Sequence, residues 1–171
     1  WVGCCWDDTD GDHLTLLDIS YALSYIYSEL SVKIDVIWFY DCLMSAIEVA
    51  YQIYNYASYM VGSETIAWTS NWDFGSVVNF VKSHLDISPR DLAIELVDMA
   101  NLVDDSHSRT QCVAAIDLSL IPGLVNTIDQ LSQKMIEKID MYHGQIITAR
   151  DATDWFEGPY GGQTRRLIDL Y

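Results

Sequence analysis

The sequence predicts a layered α/β domain, with a mostly parallel sheet sandwiched by helices. Three observations carry this reading. Short apolar runs at 34–40 (IDVIWFY), 58–63 (SYMVGS) and 111–119 (QCVAAIDLS) alternate with stretches of helical period. The first run passes through Val36, Ile37, Trp38 and Phe39 without polar alternation, as suits a central strand covered on both faces. No apolar run approaches the roughly 20 residues of a membrane span.

Each element has its own signal. Residues 1–6 (WVGCCW) read as a strand end, and 7–12 (DDTDGD) as an acidic turn. Thr15 and Asp18 have capping-box spacing, with Asp in the usual Glu or Gln place. Leu16, Ile19, Leu23, Ile26 and Leu30 then recur three and four apart, which predicts an amphipathic helix. Residues 32–40 are the expected central parallel strand, and a helical pattern resumes over 46–56 with Ile47, Ala50, Tyr51 and Tyr54. A Trp-rich loop surrounds Trp68 and Trp72. Helices are expected over 75–85 and 89–104, the second started by Ser88 and Pro89. Another runs over 121–142 on Ile121, Leu124, Ile128, Leu131, Met135 and Ile139. Residues 158–162 (GPYGG) read as a loop and 165–171 as a last strand. All 171 residues read as one partial α/β domain, cut at both ends, without repeat or linker.

Composition narrows the function. Half of the residues are hydrophobic and 20% are charged, which is globular composition. The net charge of −16 comes from 25 acidic against 9 basic residues. It excludes a nucleic-acid partner, whose phosphates need clustered Lys and Arg. It fits a well-solvated surface or a basic peptide partner. The four cysteines, Cys4, Cys5, Cys42 and Cys112, have neither disulfide-framework nor zinc-site spacing. They leave the redox compartment open.

Cys42 stands two residues beyond the strand run and just ahead of the next helical pattern. In parallel α/β sheets, ligand sites lie at the carboxyl ends of strands. A helix N-terminus there would favour a thiolate and an oxyanion. Position alone leaves two readings, a nucleophile or a small buried hydrophobe.

The segment DCLMSAIEVAYQIYNYASYMVGSE, residues 41–64, resembles the nucleophile segment of the clostripain family of cysteine peptidases. The matching blocks are Cys42-Leu43-Met44, Glu48-Val49-Ala50-Tyr51 and Ala57 through Glu64. Residues 5–23, 114–121 and the closing IDLY are similar to the same family, so the resemblance covers nearly the whole chain. It implies a caspase-like fold and a peptide or protein substrate, with Cys42 as nucleophile. No cofactor is required for that chemistry. Some members use calcium, which keeps a calcium reading of the acidic turn at 7–12 open, although its spacing is not that of an EF-hand. Members are often exported, which favours an extracellular or cell-surface location.

The family histidine stands in a His-Gly-x-Gly-Trp-like motif ahead of Cys-Trp-Asp-Asp. Matching Trp1 to that tryptophan places the histidine four residues before this chain starts. His13, His84, His107 and His143 read instead as solvated or capping residues. Clostripain-like enzymes cut after Arg or Lys using pocket acids. The first matched position is Tyr40, and alignment on the loop tryptophan makes the second Ser70. Asp41 and Asp73 are the acids nearest them, and Trp72 either lines a peptide groove or packs under its loop. Two functional readings follow: a cysteine endopeptidase that is inactive as this fragment, or a catalytically dead relative that binds peptides or partners.

Overall fold

The computed structural model describes residues 4–65, 67, 73–101, 112–153, 155–156 and 167–168. The chain divides into two compact units, Trp1–Ile121 and Pro122–Tyr171.

In the first unit, strands β1 (Cys4–Asp7) and β2 (Asp12–Leu14) pair antiparallel across the acidic turn. Asp7 Oδ1 accepts the Thr9 N–H at 2.7 Å, and Gly11 N–H donates to the Asp7 carbonyl at 2.9 Å. Gly11 closes this turn at φ 66°, a conformation glycine adopts without steric cost. His13 lies on β2, half-buried, rather than in a solvated loop. Helix α1 (Leu16–Leu30) starts with the expected capping box. Thr15 Oγ1 accepts the Asp18 N–H at 3.2 Å, and Asp18 Oδ2 accepts the Thr15 N–H at 2.8 Å.

The main sheet has the order β3 (Ile34–Trp38), β4 (Ala57–Ser63), β5 (Val113–Asp117). β3 and β4 are parallel, with Ile34 opposite Ala57 and Trp38 opposite Val61. Helix α2 (Ile47–Ile53) joins them. β4 and β5 are antiparallel, with Ser63 opposite Val113 and Tyr59 opposite Asp117. Two expectations are thereby corrected among the described residues: the sheet is mixed rather than mostly parallel, and β4 rather than β3 is central. The cause is the connection. A single helix returns the chain to the starting end of β4. Two helices, α3 (Phe74–Ser83) and α4 (Pro89–Asn101), deliver it to β5 at the carboxyl end of β4.

α3 starts at Asp73, and Ser88 caps α4 by accepting the Asp91 N–H at 3.1 Å. Val61 packs with Val77, Ala93 and Leu96 from these helices, so α3 and α4 cover one face of the sheet. Met60, aimed at the opposite face by strand alternation, is also fully buried. α1 lies against α2, where Ser20 Oγ donates to the Gln52 carbonyl at 3.1 Å. In the second unit, α5 (Ile121–Ala152) extends beyond the expected end at 142. Tyr142 leaves helical geometry at φ −122° and ψ 20°, and the helix resumes after it. β6 (Trp155–Phe156) and β7 (Leu167–Ile168) pair antiparallel, which places the expected last strand at 167–168. The expected loop at 158–162 lies outside the described residues.

Gly62 sets how closely the segment after β3 approaches β4. A Cβ at this position would lie 3.3 Å from the Met44 carbonyl carbon, the Met44 Cβ and the Ser45 Oγ. Ser45 N–H donates to the Ser63 carbonyl at 3.1 Å and Ser45 Oγ to the Gly62 carbonyl at 2.7 Å, so that backbone has little room to retreat. Gly62→Ala is therefore expected to lose about 1–3 kcal/mol, the usual overpacking range. Gly144→Ala, inside α5 where a Cβ meets nothing within 4 Å, is the control and loses no stability, since alanine is the better helix former. Urea denaturation of both variants checks this.

Candidate active site

Three of the residues singled out in the sequence follow the carboxyl end of β3. Trp38 is its last residue, and Tyr40, Asp41 and Cys42 follow. β3 continues its pairing one step further, with Phe39 N–H donating to the Val61 carbonyl at 2.8 Å. The chain then turns. Leu43 adopts φ 63°, a left-handed conformation that disfavours residues carrying a Cβ. Leu43 N–H donates to the Thr65 carbonyl at 3.0 Å, and Met44 is fully buried. A left-handed leucine held by buried neighbours is backbone strain of the kind that accompanies functional sites.

Cys42 is half-buried, and its sulfur faces the backbone of Ala67. Ala67 N–H donates to Sγ at 3.3 Å, and the thiol lies 3.8 Å from the Ala67 carbonyl oxygen. The helix terminus lies where the period predicted it, but it does not reach Cys42. α2 begins at Ile47 with Ala46 as its N-cap, and residues 42–45 form a turn. The helix dipole fades within its first turn, so it does not act on Cys42.

Asp41 lies in two neighbourhoods. Its Oδ1 accepts the Cys42 N–H at 2.7 Å. Its carboxylate also converges with the thiols of Cys4 and Cys5, the three ligand-type atoms all lying within 4.8 Å of one another. Burial is the main cause that pushes the Cys4 thiol up to about 12. A hydrogen bond with Cys5, then the charges of Cys5 and Asp41, add to it.

Tyr40 packs edge-on against Phe74, ring centroids 4.9 Å apart, and Phe74 meets Trp38 at 5.2 Å. The matched acidic position thus belongs to an aromatic cluster of three rings. Asp73 is the N-cap of α3. Its Oδ1 accepts the Ser76 N–H at 3.1 Å and its Oδ2 the Ser76 hydroxyl at 2.6 Å. Ser70 and Trp72, like Trp1, Trp68 and His107, lie outside the described residues. His84 ends α3, its ring stacked on Phe80 at 4.2 Å, and His143 lies within α5. Among the described residues, the hydrogen bonds of Cys42 run to Ala67 and Asp41 and not to a histidine.

Sequence reasoning missed Phe74 and Ala67. Phe74 had a signal, since it follows the capping Asp73. Ala67 acts through its backbone, which no side-chain pattern encodes. A cavity of about 390 Å³ lies at the other end of the strands, between Lys33, Ala57, Arg90 and Asp117. It takes no part in the Cys42 site.

A profile of the clostripain family matches residues 2–166. No curated protein matches the chain. Among solved structures, a B. fragilis cysteine protease is similar over 72% of this chain, with 22% identity and a TM-score of 0.53. This chain covers 50% of that structure's length. A clostripain from Bacteroides thetaiotaomicron, solved with a peptide inhibitor, shares 17% identity at a TM-score of 0.49, over 74% of this chain and 51% of its own. The likeness to the B. fragilis protein supports a caspase-like α/β fold.

The Asp73 cap has a pH signature. The Ser76 hydroxyl and N–H bonds hold its carboxyl below the usual carboxylate range. A carboxylate with a lowered folded-state pKa contributes stability above its unfolded value and loses it as pH falls through the folded one. Asp73→Ala is therefore expected to melt at a lower temperature than the native chain at neutral pH. The gap narrows as pH drops below the ordinary carboxylate value of about 4. Thermal melts across that range, followed by circular dichroism, measure it.

Proposed function

The chain belongs to the clostripain family, whose members are cysteine peptidases, and on that premise we propose that it is part of a cysteine endopeptidase with Cys42 as nucleophile. The observation that carries this reading is the placement of Cys42. It stands past the carboxyl end of β3, on a left-handed turn tied to β4. The thiolate attacks the scissile carbonyl carbon, and the carbonyl π electrons move to oxygen. Collapse of that tetrahedral species expels the amine, which leaves with a proton from a histidine. Water then adds to the acyl-enzyme, its proton returns to the histidine, and the sulfur is released. Cys42 N–H is the backbone donor nearest the sulfur along the chain. It serves the oxyanion once substrate displaces the Asp41 carboxylate that holds it at 2.7 Å. The thiol chemistry needs no cofactor. The histidine is the one that the family pattern places upstream of Trp1. Peptides or proteins are the substrates, and no helix among the described residues is long and apolar enough to cross a membrane.

The substrate residue before the cut is uncharged in this reading. Tyr40 is engaged with Phe74 at 4.9 Å, Asp73 with Ser76 and Asp41 with the Cys42 N–H at 2.7 Å. Asp73 is thus committed to the α3 cap, and Asp41, which substrate displaces from the Cys42 N–H, lies one residue away from the matched position. Without a buried charge partner, preference for Arg or Lys falls by roughly a hundredfold relative to an enzyme that has one. Profiling the upstream-extended protein on a peptide library tests this. Strong Arg selectivity that disappears in Asp41→Asn or Asp73→Asn would show that a neighbouring acid had taken the role.

Peptide cleavage by three proteins tests the nucleophile and its base. The expected order is turnover by a chain extended upstream through the histidine motif, about 10²–10⁴-fold less from residues 1–171, and none from extended Cys42→Ala. Equal rates from short and extended chains would make His13 the residue to mutate. An extended chain that is inactive yet binds peptides would replace the enzyme by a binding domain.

A further inference from the structure

The convergence of Cys4, Cys5 and Asp41 is unusual for a strand. Successive side chains in a regular strand point to opposite faces, so adjacent cysteines should diverge. β1 breaks that rule. Its register with β2 shifts between Cys4 and Asp7, and Cys5 adopts φ 56°. A bulge with a left-handed residue re-aims a side chain. Here it brings both thiols to one side, where the carboxylate of Asp41 meets them across the fold. The three groups gather the negative charge of a carboxylate and two potential thiolates in one small space. They have no lysine or arginine ion pair among the described residues.

We propose that Cys4, Cys5 and Asp41 form a binding site for a thiophilic divalent cation of the zinc class, beside the turn that carries Cys42. The donor set is two sulfurs and one carboxylate oxygen. Thiolate favours zinc-like ions, whereas calcium and magnesium take oxygen. Zinc–sulfur bonds of about 2.3 Å in a tetrahedron put two sulfurs about 3.8 Å apart. Atoms already within 4.8 Å of one another need close by no more than about 1 Å. Cys5 is exposed and has room to rotate. The carboxylate is oriented from behind, because Asp41 Oδ1 holds the Cys42 N–H at 2.7 Å, as outer partners orient metal ligands. Three protein ligands leave the fourth position to water. Binding releases one proton from each thiol to solvent, and the ion with two thiolates and a carboxylate carries a net charge of −1.

The site does not depend on peptidase activity, and its test reads metal directly. Cobalt(II) is titrated into the chain in the presence of a phosphine reductant. A thiolate-to-cobalt charge-transfer band saturating at one ion per chain, and displaced by zinc, is expected. Cys4→Ser, Cys5→Ser and Asp41→Asn should each weaken binding at least about tenfold, since even losing an outer partner costs that much. Cys42→Ala and Cys112→Ser should bind as the native chain does; the Cys112 thiol instead donates to Glu64 Oε2 at 2.7 Å. Circular dichroism of each variant confirms the fold. Absence of the band, its survival in Cys4→Ser/Cys5→Ser, or its loss in folded Cys42→Ala would overturn the proposal.

Discussion

The close approach of residues 44–45 to β4 is the constraint on which the candidate site depends. It is possible because position 62 has no side chain, and a Cβ there would sit 3.3 Å from the Met44 backbone. Leu43, Ser45 and Thr65 then lock the turn through main-chain hydrogen bonds of 3.0 and 3.1 Å. With Met44 fully buried beneath it, the turn has no slack. The left-handed Leu43 follows from that confinement and fixes where Cys42 projects. A cysteine on a free loop would sample many positions. This one follows β3 directly, on a turn hydrogen-bonded to the end of β4.

β4 is the hub of this arrangement. It pairs with β3 and β5, and five of its seven residues, Ala57 and Met60 through Ser63, are buried. Ser63 Oγ accepts the Thr65 N–H at 3.2 Å and lies at the same distance from the Cys112 carbonyl oxygen. Thr65 receives the Leu43 N–H, and Glu64 N–H donates to the Cys112 carbonyl at 2.8 Å. The end of β4, the start of β5 and the Cys42 turn are therefore one hydrogen-bonded block. The aromatic cluster of Trp38, Tyr40 and Phe74 leans on its other side, where α3 begins. Asp73 fixes that beginning, its carboxylate accepting the Ser76 N–H and hydroxyl.

Much of this was legible from the residues. Thr15 and Asp18, Ser88 and Pro89, and the apolar run before Cys42 each announce an element that the structure contains, because capping and burial are written in local side-chain chemistry. The clostripain resemblance was legible in the blocks around Cys42 and Glu48. Strand direction was not. Whether β5 runs with β4 or against it depends on how many helices intervene and where they pack, and apolar runs look alike either way. The start of α2 was legible at Ala46, but not that residues 42–45 form a turn that keeps its terminus from Cys42. Vicinal cysteines announce nothing by themselves. Their convergence with Asp41 comes from a left-handed Cys5, a backbone state that the residue type does not favour.

The proposed nucleophile is one cysteine of four, and its reactivity can be read directly. The upstream-extended protein can be treated with a peptide bearing an electrophilic ketone and digested, and each cysteine-containing fragment weighed by mass spectrometry. A single covalent adduct is expected, on Cys42, lost when the protein is unfolded beforehand. An adduct on Cys4, Cys5 or Cys112 in preference to Cys42, or labelling of Cys42 no faster in the folded than in the unfolded chain, would contradict it.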